Sequence, residues 1–378
     1  MKGIDVKVIT GFPSYPQWEI YSDYKNKPSY FTESIDGIEI IRYKQYVPKE
    51  VTFKGRVLMM LDVFYGTFRN FSKVKKSDLV ICIVPYTLSI LPAMIFSRRR
   101  NAKLWVHIQD FEFDLALDSG IIKSNNVFLK AFKKIITTFE KRMLNAADIT
   151  SSISFSMLEK IRIKSSHQDP YYFPNWVSSE KINPETSSKH SIIDANKFNL
   201  LYSGNIGEKQ DWDFLEKLCQ LINPEDNLDI VIVGDGGYAT TLKEKLKSFS
   251  FVKIYKPVPY EELNDLLCSA DAHFLFQKTN VVDTVMPSKI LGMMASARPS
   301  IITGSSSSEV ATIINQSQGG FYFSDNDSNK VFETIITLKK DSGKCLESGN
   351  KARDFILNKF SEETILTSFY NKINDVLQ

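Results

Sequence analysis

The chain has 378 residues, 43% apolar, 24% charged and 12% aromatic, which is the composition of a globular protein with more than one core. At about 150 residues per domain, this length predicts two domains. The formal charge of +3 excludes a uniformly basic nucleic-acid binder, but residues 1–180 hold 26 basic and 18 acidic side chains, against 21 and 26 in 181–378. We therefore expect the first half to face an anionic partner.

Cysteine usage and the amino terminus indicate where the protein acts. The four cysteines form no CxxC pair and no Cys/His cluster with zinc spacing, which predicts a reduced intracellular chain without a structural metal. The first ten residues lack the apolar core of a signal peptide and are typical of entry into a strand. We expect a cytoplasmic protein, with peripheral contact to the inner face of the cell membrane as an open question.

Short apolar runs alternate with helical stretches along the chain, which predicts an α/β fold with parallel sheets. The predicted strands are Asp5 to Ile9, Ile38 to Tyr43, Leu79 to Val84, Lys103 to His107, Ile149 to Ile153, Leu200 to Ser203, Asp229 to Val233, Val252 to Tyr255, Ala272 to Leu275, Ser300 to Thr303 and Gly320 to Phe323. The predicted helices include Gly55 to Lys75, Val127 to Asn145, Asp211 to Leu221, Ala239 to Lys247, Tyr260 to Ser269, Lys289 to Ala297, Ser308 to Asn315 and Ser361 to Leu377. A polar stretch over 163–197 separates two Rossmann-like lobes, between which we expect a cleft.

The uncharged segment Leu79 to Ser97 is long enough to span a membrane. Pro85 and Pro92 interrupt it, and its first six residues form the compact apolar run of a strand buried in a parallel sheet. A strand, a proline loop and a helix are therefore favoured over a transmembrane helix.

Three loops in the second half have the chemistry of anion sites. Residues 202–210 (YSGNIGEKQ) follow a strand and open a helix, so that glycines, free amides and Lys209 could meet a phosphate. Residues 233–237 (VGDGG) follow the next strand at its carboxyl end, where α/β sheets place ligands. Pro287, Ser288 and Lys289 open an apolar helix and present a hydroxyl and an ammonium. Sharp turns that simply require glycine or proline explain each loop equally well.

These motifs in this order resemble glycosyltransferase family 4 of the GT-B fold, in particular the bacterial polysaccharide branch that includes colanic-acid and L-fucosamine transferases. The likeness covers nearly the whole chain through segments 10–16, 107–112, 173–177, 203–210, 234–236 and 287–289. It implies a retaining transfer from a nucleotide diphosphate sugar to a glycan or lipid-linked acceptor, without a required metal. The setting it implies is the synthesis of a surface polysaccharide such as O-antigen, capsule or lipopolysaccharide.

The resemblance also implies roles for individual residues. The donor diphosphate would meet Gly204, Asn205, Gly207, Lys209 and Gln210 on one side and Pro287, Ser288 and Lys289 on the other, while Asp235, Gly236 and Val258 would border the nucleotide. Lys209 and Lys289 would stabilise the leaving nucleotide diphosphate, and His107 and Asp110 would contact the transferred sugar. A satisfied structural histidine remains an equal alternative for His107. The implied domains are an acceptor lobe over 1–170, a donor lobe over 171–360 and a carboxy-terminal helix over 361–378.

Two departures from the family pattern affect these expectations. Thr284 and Gly292 stand where many members carry two glutamates, one of which holds the donor ribose. The family also opens with a strand, a loop and a helix before the strand that begins here near Asp5. We therefore expect the first lobe to lack those initial elements.

Residues 53–76 combine aromatic and basic side chains on one helical stretch. This pattern suits the surface of an anionic bilayer, although a core helix with a solvated basic edge is the more ordinary interpretation. Two alternatives to a transferase also stay open at this stage. One is an inactive or shortened homologue that binds a nucleotide sugar, and the other is a nucleotide-sugar 2-epimerase.

Overall fold

A computed structural model describes residues 3–14, 18–48, 53–84, 86–111, 127–279 and 288–378. The chain divides into two compact units, which are Met1–Tyr172 with Ile373–Gln378, and Phe173–Lys372. Both are α/β units, as the alternation of apolar runs and helical stretches predicts.

The first unit contains two sheets. Its strands are β1 (Lys7–Gly11), β2 (Tyr30–Ile35), β3 (Ile38–Tyr43), β4 (Leu79–Val84), β5 (Lys103–Ile108), β6 (Ile149–Ser152) and β7 (Tyr171–Tyr172), in the orders β1-β3-β2 and β4-β5-β6-β7. All pairings are parallel except that of β2 with β3. Its helices are α1 (Ser22–Lys25), α2 (Phe53–Arg69), α3 (Ile90–Arg100), α4 (Val127–Asn145) and α5 (Phe155–Lys164).

The strand β2 was not predicted, although the sequence carries a signal for it. Asp36 and Gly37 connect β2 to β3 with φ angles of 52° and 80°. A two-residue loop with both φ angles positive matches the twist of a hairpin, and Asp-Gly is a preferred sequence for it. The mixed polar composition of Tyr30–Ile35 hid a strand that this turn indicates.

The segment tested for a membrane span is a strand followed by a helix, as predicted. Strand β4 ends at Val84, a short 3₁₀ turn covers Thr87–Ser89, and α3 runs from Ile90 to Arg100. No helix within the described ranges is both long and apolar enough to cross a bilayer. Strand β4 is the outer strand of its sheet, and Ile81 and Ile83 on one of its faces are 40% and 60% exposed.

The second unit is built on one six-stranded parallel sheet of order β10-β9-β8-β11-β12-β13. The strands are β8 (Phe198–Ser203), β9 (Leu228–Val233), β10 (Val252–Tyr255), β11 (Ala272–Phe276), β12 (Ser300–Thr303) and β13 (Gly320–Phe323). The helices are α6 (Trp212–Cys219), α7 (Ala239–Leu246), α8 (Leu263–Ser269), α9 (Lys289–Ala295), α10 (Glu309–Ser317), α11 (Ser328–Lys340), α12 (Ser342–Phe360) and α13 (Glu362–Leu377), of which the last residues, from Ile373, are counted in the first unit. Every residue of β9 and β11 is buried, as expected for parallel strands covered on both faces.

The loops that follow β8 and β9 pack directly on each other. The Gly204 amide donates to the Val233 carbonyl at 2.9 Å, and the Ile206 amide donates to the Asp235 carbonyl at 2.8 Å. A Cβ atom at Gly234 would lie only 1.9 Å from the Gly204 carbonyl oxygen, so this position has no room for a side chain. Two backbones can therefore run side by side at this edge of the sheet.

We predict that Gly234→Ala forces these loops apart and lowers the free energy of unfolding by about 1–3 kcal/mol, the usual cost of overpacking. Gly237→Ala is the matched control, because a Cβ there meets no atom within 4 Å. It should change stability by less than about 0.5 kcal/mol. Urea titrations of both variants measure the difference, and equal midpoints would contradict the packing argument.

Candidate active site

The strand order marks one edge of the second sheet as the candidate for a ligand site. Counting outward from β8, the chain proceeds to β9 and β10 on one side and returns through β11 to β13 on the other. In open parallel sheets the crevice at such a reversal, beyond the carboxyl ends of the strands, is where ligands bind. Here residues 204–210 follow β8, and Lys289 begins the helix that comes after β11.

The loop over 204–210 is held in shape by its own residues. The Gly207 amide donates to Gln210 Oε1 at 3.0 Å, and Trp212 Nε1 donates to the Gly207 carbonyl at 2.8 Å. At the entrance to α6, the Asp211 carboxylate accepts a hydrogen bond from the Phe214 amide at 3.0 Å. These bonds fix the path of the backbone between β8 and α6.

Within the described part of the chain, four amides of this loop donate no hydrogen bond: those of Asn205, Glu208, Lys209 and Gln210. They precede a helix whose amino-terminal end carries partial positive charge. Amides in this position are ready donors for an anion such as a phosphate.

Lys289 reaches this loop from the start of α9. Its ammonium donates to the Tyr202 hydroxyl at 2.7 Å and lies 4.3 Å from the centre of the Tyr202 ring. A Cβ at Gly204 would be 3.0 Å from Lys289 Nζ, so glycine leaves the ammonium its place beside the loop. One positive charge and several amides are therefore gathered at one spot.

The loop after β9 adds a carboxylate to this edge. Gly236 has a φ of 154°, and a Cβ there would lie 2.5 Å from Asn205 Oδ1, so the two loops touch again. Asp235 accepts from the Gly236 amide at 2.9 Å and from Lys256 Nζ at 2.8 Å. The hydrogen bond from Lys256, followed by that from Gly236, lowers the pKa of Asp235.

The remaining residues predicted for this site are less closely assembled. Lys209 is exposed, and its ammonium forms no ion pair with any carboxylate in the ranges that the structure describes. Ser288 is exposed at the start of α9, and Val258 is half-buried just beyond β10. Pro287 and Thr284 lie outside the described residues.

His107 and Asp110 belong to the first unit, at and just beyond the end of β5. His107 is 3% exposed, with Nδ1 2.9 Å from Ser151 Oγ and Nε2 3.3 Å from Gln109 Nε2. Ser151 also accepts from Trp105 Nε1 at 2.7 Å. Asp110 is half-buried, and its carboxylate accepts from the Phe111 amide at 2.9 Å.

Burial determines the protonation of His107. Loss of hydration disfavours the imidazolium and lowers the pKa of His107 to about 4. The ring is therefore neutral at pH 7, where it can donate or accept a hydrogen bond but carries no charge. The partnership with Ser151 agrees with the structural alternative for this histidine and leaves its role in binding a prediction.

We predict that His107 makes the first unit acid-sensitive. The unfolded chain takes up a proton near pH 6.5, while the folded ring resists protonation until about pH 4. The contribution of the neutral His107 to the free energy of unfolding is thus fully present above pH 6.5. It is lost as the pH falls toward 4, and the loss amounts to at most about 3 kcal/mol. Urea titrations across this range should show wild type losing up to about 3 kcal/mol of stability relative to His107→Gln as the pH falls, and parallel curves would contradict the lowered pKa.

Two residues of the site were not predicted. Tyr202 and Trp212 shape the loop through their polar atoms, yet each is buried and resembles a core aromatic residue in the sequence. The position of Tyr202 in the sequence could have indicated its role. It is the penultimate residue of a strand that leads into a glycine-containing loop.

No group of three or more His, Cys, Asp or Glu side chains that could hold a metal ion occurs among the residues described. The four cysteines are buried and unpaired. The expectation that the reaction requires no metal stays a prediction.

Comparison with known proteins places this geometry in context. Residues 197–341 match the family described as "Glycosyl transferases group 1". The chain is 27% identical over 385 aligned residues to the Escherichia coli protein WcaI, named as a colanic acid biosynthesis glycosyl transferase, with 98% of this chain and 92% of WcaI covered.

Solved structures share the architecture. Sucrose-phosphate synthase from Thermosynechococcus elongatus superposes with a TM-score of 0.70 at 15% identity, covering 99% of this chain and 90% of that one. HepE of Anabaena, solved with UDP and glucose, gives a TM-score of 0.63 at 13% identity, covering 89% and 86%. These neighbours carry the two-lobed architecture predicted from the sequence. Residues 197–341 thus carry the match to group 1 glycosyl transferases, and the chain is a glycosyltransferase with the GT-B fold.

Proposed function

We propose that this protein transfers a sugar, with retention of configuration, from a nucleotide diphosphate sugar to a lipid-linked or glycan acceptor during synthesis of a bacterial surface polysaccharide. The observation that carries the proposal is the meeting of Lys289, Tyr202 and the open amides of residues 204–210 at the reversal of strand order. An ammonium beside unpaired amides is suited to a diphosphate, because both donors strengthen as negative charge develops on a leaving group.

Positive charge at this edge is local. The half of the chain that contains it carries more acidic than basic residues, so the two lysines oppose the sign of their surroundings. In our proposal Lys289 and Lys209 neutralise the departing diphosphate from two directions, with the exposed Lys209 closing on bound donor. Two ammonium groups and the amides could then supply the charge stabilisation without a metal ion.

The donor and acceptor classes rest on the similarity to named proteins. HepE was solved with UDP and glucose, which supports a nucleoside diphosphate donor here. WcaI is named for colanic acid synthesis, and a second relative, 23% identical, is a poly(ribitol-phosphate) α-N-acetylglucosaminyltransferase of Staphylococcus aureus. Both names point to polymers of the cell surface as the destination of the sugar.

The direct test is turnover of purified protein with a panel of UDP-, GDP- and dTDP-sugars and a bacterial lipid extract, with and without EDTA. A glycosylated product that keeps the donor's anomeric configuration, formed equally with EDTA present, supports the proposal. An epimerised nucleotide sugar would identify an epimerase, and donor binding without any product would identify a non-catalytic homologue.

We predict that Lys289→Ala and Lys209→Ala each lower kcat by about 10²-fold or more, since each removes charge from the leaving diphosphate. Lys243→Ala, an exposed lysine on α7, is the matched control and should leave transfer unchanged. Near-normal turnover in both Lys289→Ala and Lys209→Ala would contradict the proposal that these lysines stabilise the leaving diphosphate.

The first unit carries a surface that supports the membrane part of the proposal. Five large apolar side chains on α2 are 37% to 52% exposed and follow one another at intervals of one, three or four residues: Val57, Leu58, Leu61, Tyr65 and Phe68. Residues three or four apart lie on one face of a helix, so this is a continuous apolar stripe.

Arginines border the stripe at its carboxyl end. A groove of about 570 Å³ lies between α2 and α3, lined by Tyr65, Phe68, Arg69, Phe71, Ser72, Phe96, Arg99 and Arg100. Arg99 lies over the Phe68 ring at 5.6 Å, and Arg69 donates to the Tyr65 hydroxyl at 3.1 Å. Among the residues described, no carboxylate pairs with Arg69, Arg99 or Arg100, and residues 51–100 hold nine basic against two acidic side chains.

We propose that this stripe and its arginines lie on the surface of an anionic bilayer, which would bring the enzyme to a lipid-linked acceptor. Apolar side chains enter the membrane interface while arginines contact the lipid phosphate groups. Binding to a neutral bilayer should be much weaker, because it lacks the attraction between the arginines and anionic lipids. A partner protein packed against α2 would also bury the stripe. A vesicle-binding assay distinguishes a partner protein from a bilayer.

We predict that the protein sediments with phosphatidylglycerol-containing vesicles and not with pure phosphatidylcholine vesicles, and that salt weakens this binding. Arg99→Glu with Arg100→Glu should weaken it about 30-fold or more, since each basic residue contributes about 1 kcal/mol near an anionic surface. The control is Lys217→Glu with Lys243→Glu, an equal charge change on exposed residues of the second unit. Equal losses in the two double variants would contradict a specific membrane face.

A further inference from the structure

Tyr202 is the residue through which Lys289 is joined to the loop. It is 1% exposed, and its ring packs against Trp212 with centroids 5.1 Å apart and against Phe274 at 5.5 Å. The ring is therefore fixed by the core of the second unit, and only its hydroxyl faces the loop.

The hydroxyl bridges two elements that are far apart in the sequence. It donates to the Asn205 carbonyl at 2.6 Å and accepts from Lys289 Nζ at 2.7 Å. Burial raises the pKa of Tyr202, so the phenol keeps its proton and the direction of both bonds is fixed. The start of α9 and the loop after β8 are thus tied through a single oxygen atom.

We propose that Tyr202 is a positioning residue that holds the Lys289 ammonium at the place where the terminal phosphate of a nucleoside diphosphate binds. The inference rests on the function proposed above and assigns a role to a residue to which the sequence analysis gave none. A lysine side chain has four rotatable bonds, and holding it in one position before the ligand arrives removes much of the entropy cost of the contact.

The geometry makes the role of Tyr202 depend on Lys289. Replacing Tyr202 by phenylalanine removes the hydrogen bond that the hydroxyl accepts from the Lys289 ammonium. The phenylalanine ring keeps the packing on Trp212 and Phe274. The substitution should lower the affinity for a nucleoside diphosphate, whose terminal phosphate contacts Lys289 in our proposal. It should not change the affinity for the monophosphate, which lacks that phosphate. Binding of a nucleoside diphosphate and its monophosphate therefore separates positioning from general structural support.

The experiment measures the dissociation constants of UDP, UMP, GDP and GMP by calorimetry for wild type, Tyr202→Phe, Lys289→Met and the double variant. Tyr43→Phe is the matched control, because Tyr43 is a buried tyrosine in the first unit whose hydroxyl accepts from Thr67 Oγ1 at 3.3 Å. Thermal melting of each variant verifies that the fold is kept.

We expect Tyr202→Phe to weaken the preferred diphosphate by about 10-fold, the scale of a hydrogen bond to a charged group, and to change the monophosphate by less than about 2-fold. In the Lys289→Met background, Tyr202→Phe should have no further effect, because the two act as one unit.

Equal losses for diphosphate and monophosphate, or additive effects of the two substitutions, would overturn the positioning role and leave the donor site intact. Wild type that binds neither diphosphate would instead overturn the proposed function and this inference together. The two failures are therefore distinguishable in one data set.

Discussion

The second unit depends on the contact between two backbones, where the loop after β8 lies against the loop after β9. The glycine at 234 removes the side chain that would keep them apart, since a Cβ there would lie 1.9 Å from the Gly204 carbonyl oxygen. Because the loops touch, the Ile206 amide can donate to the Asp235 carbonyl. The amides of residues 204–210 and the Asp235 carboxylate therefore lie at the same edge of the sheet. Lys289 joins them through its hydrogen bond to the Tyr202 hydroxyl.

This arrangement shows how the phosphate-binding edge that we propose is compatible with an acidic half of the chain. The carboxylate of Asp235 at this edge is paired with Lys256 at 2.8 Å. Paired carboxylates repel an incoming anion far less than isolated ones, because the nearby ammonium cancels their field at short range. Local pairing therefore matters more here than net charge, which is a property of the whole surface.

Sequence reasoning identified the elements more accurately than their contacts. The apolar run over Leu79–Val84 gave the exact bounds of β4, although one face of this strand is exposed at Ile81 and Ile83. Helices α5, α11 and α12 were not predicted, although the buried Val331, Ile335 and Leu338 of α11 recur at helical spacing. The glycine loop and Lys289 could be predicted from local motifs, but the link through Tyr202 spans 87 residues and depends on strand order. No local pattern contains that information.

The outer face of β4 has a consequence for the behaviour of the first unit in solution. Its neighbour on one side is β5, while Ile81 and Ile83 are 40% and 60% exposed along an edge that no described strand covers. Such an edge presents a row of unpaired backbone donors and acceptors beside apolar side chains, and an extended segment of another molecule can pair with it. Like charges repel, so the excess of basic over acidic residues in 1–180 opposes the approach of a second copy to this strand.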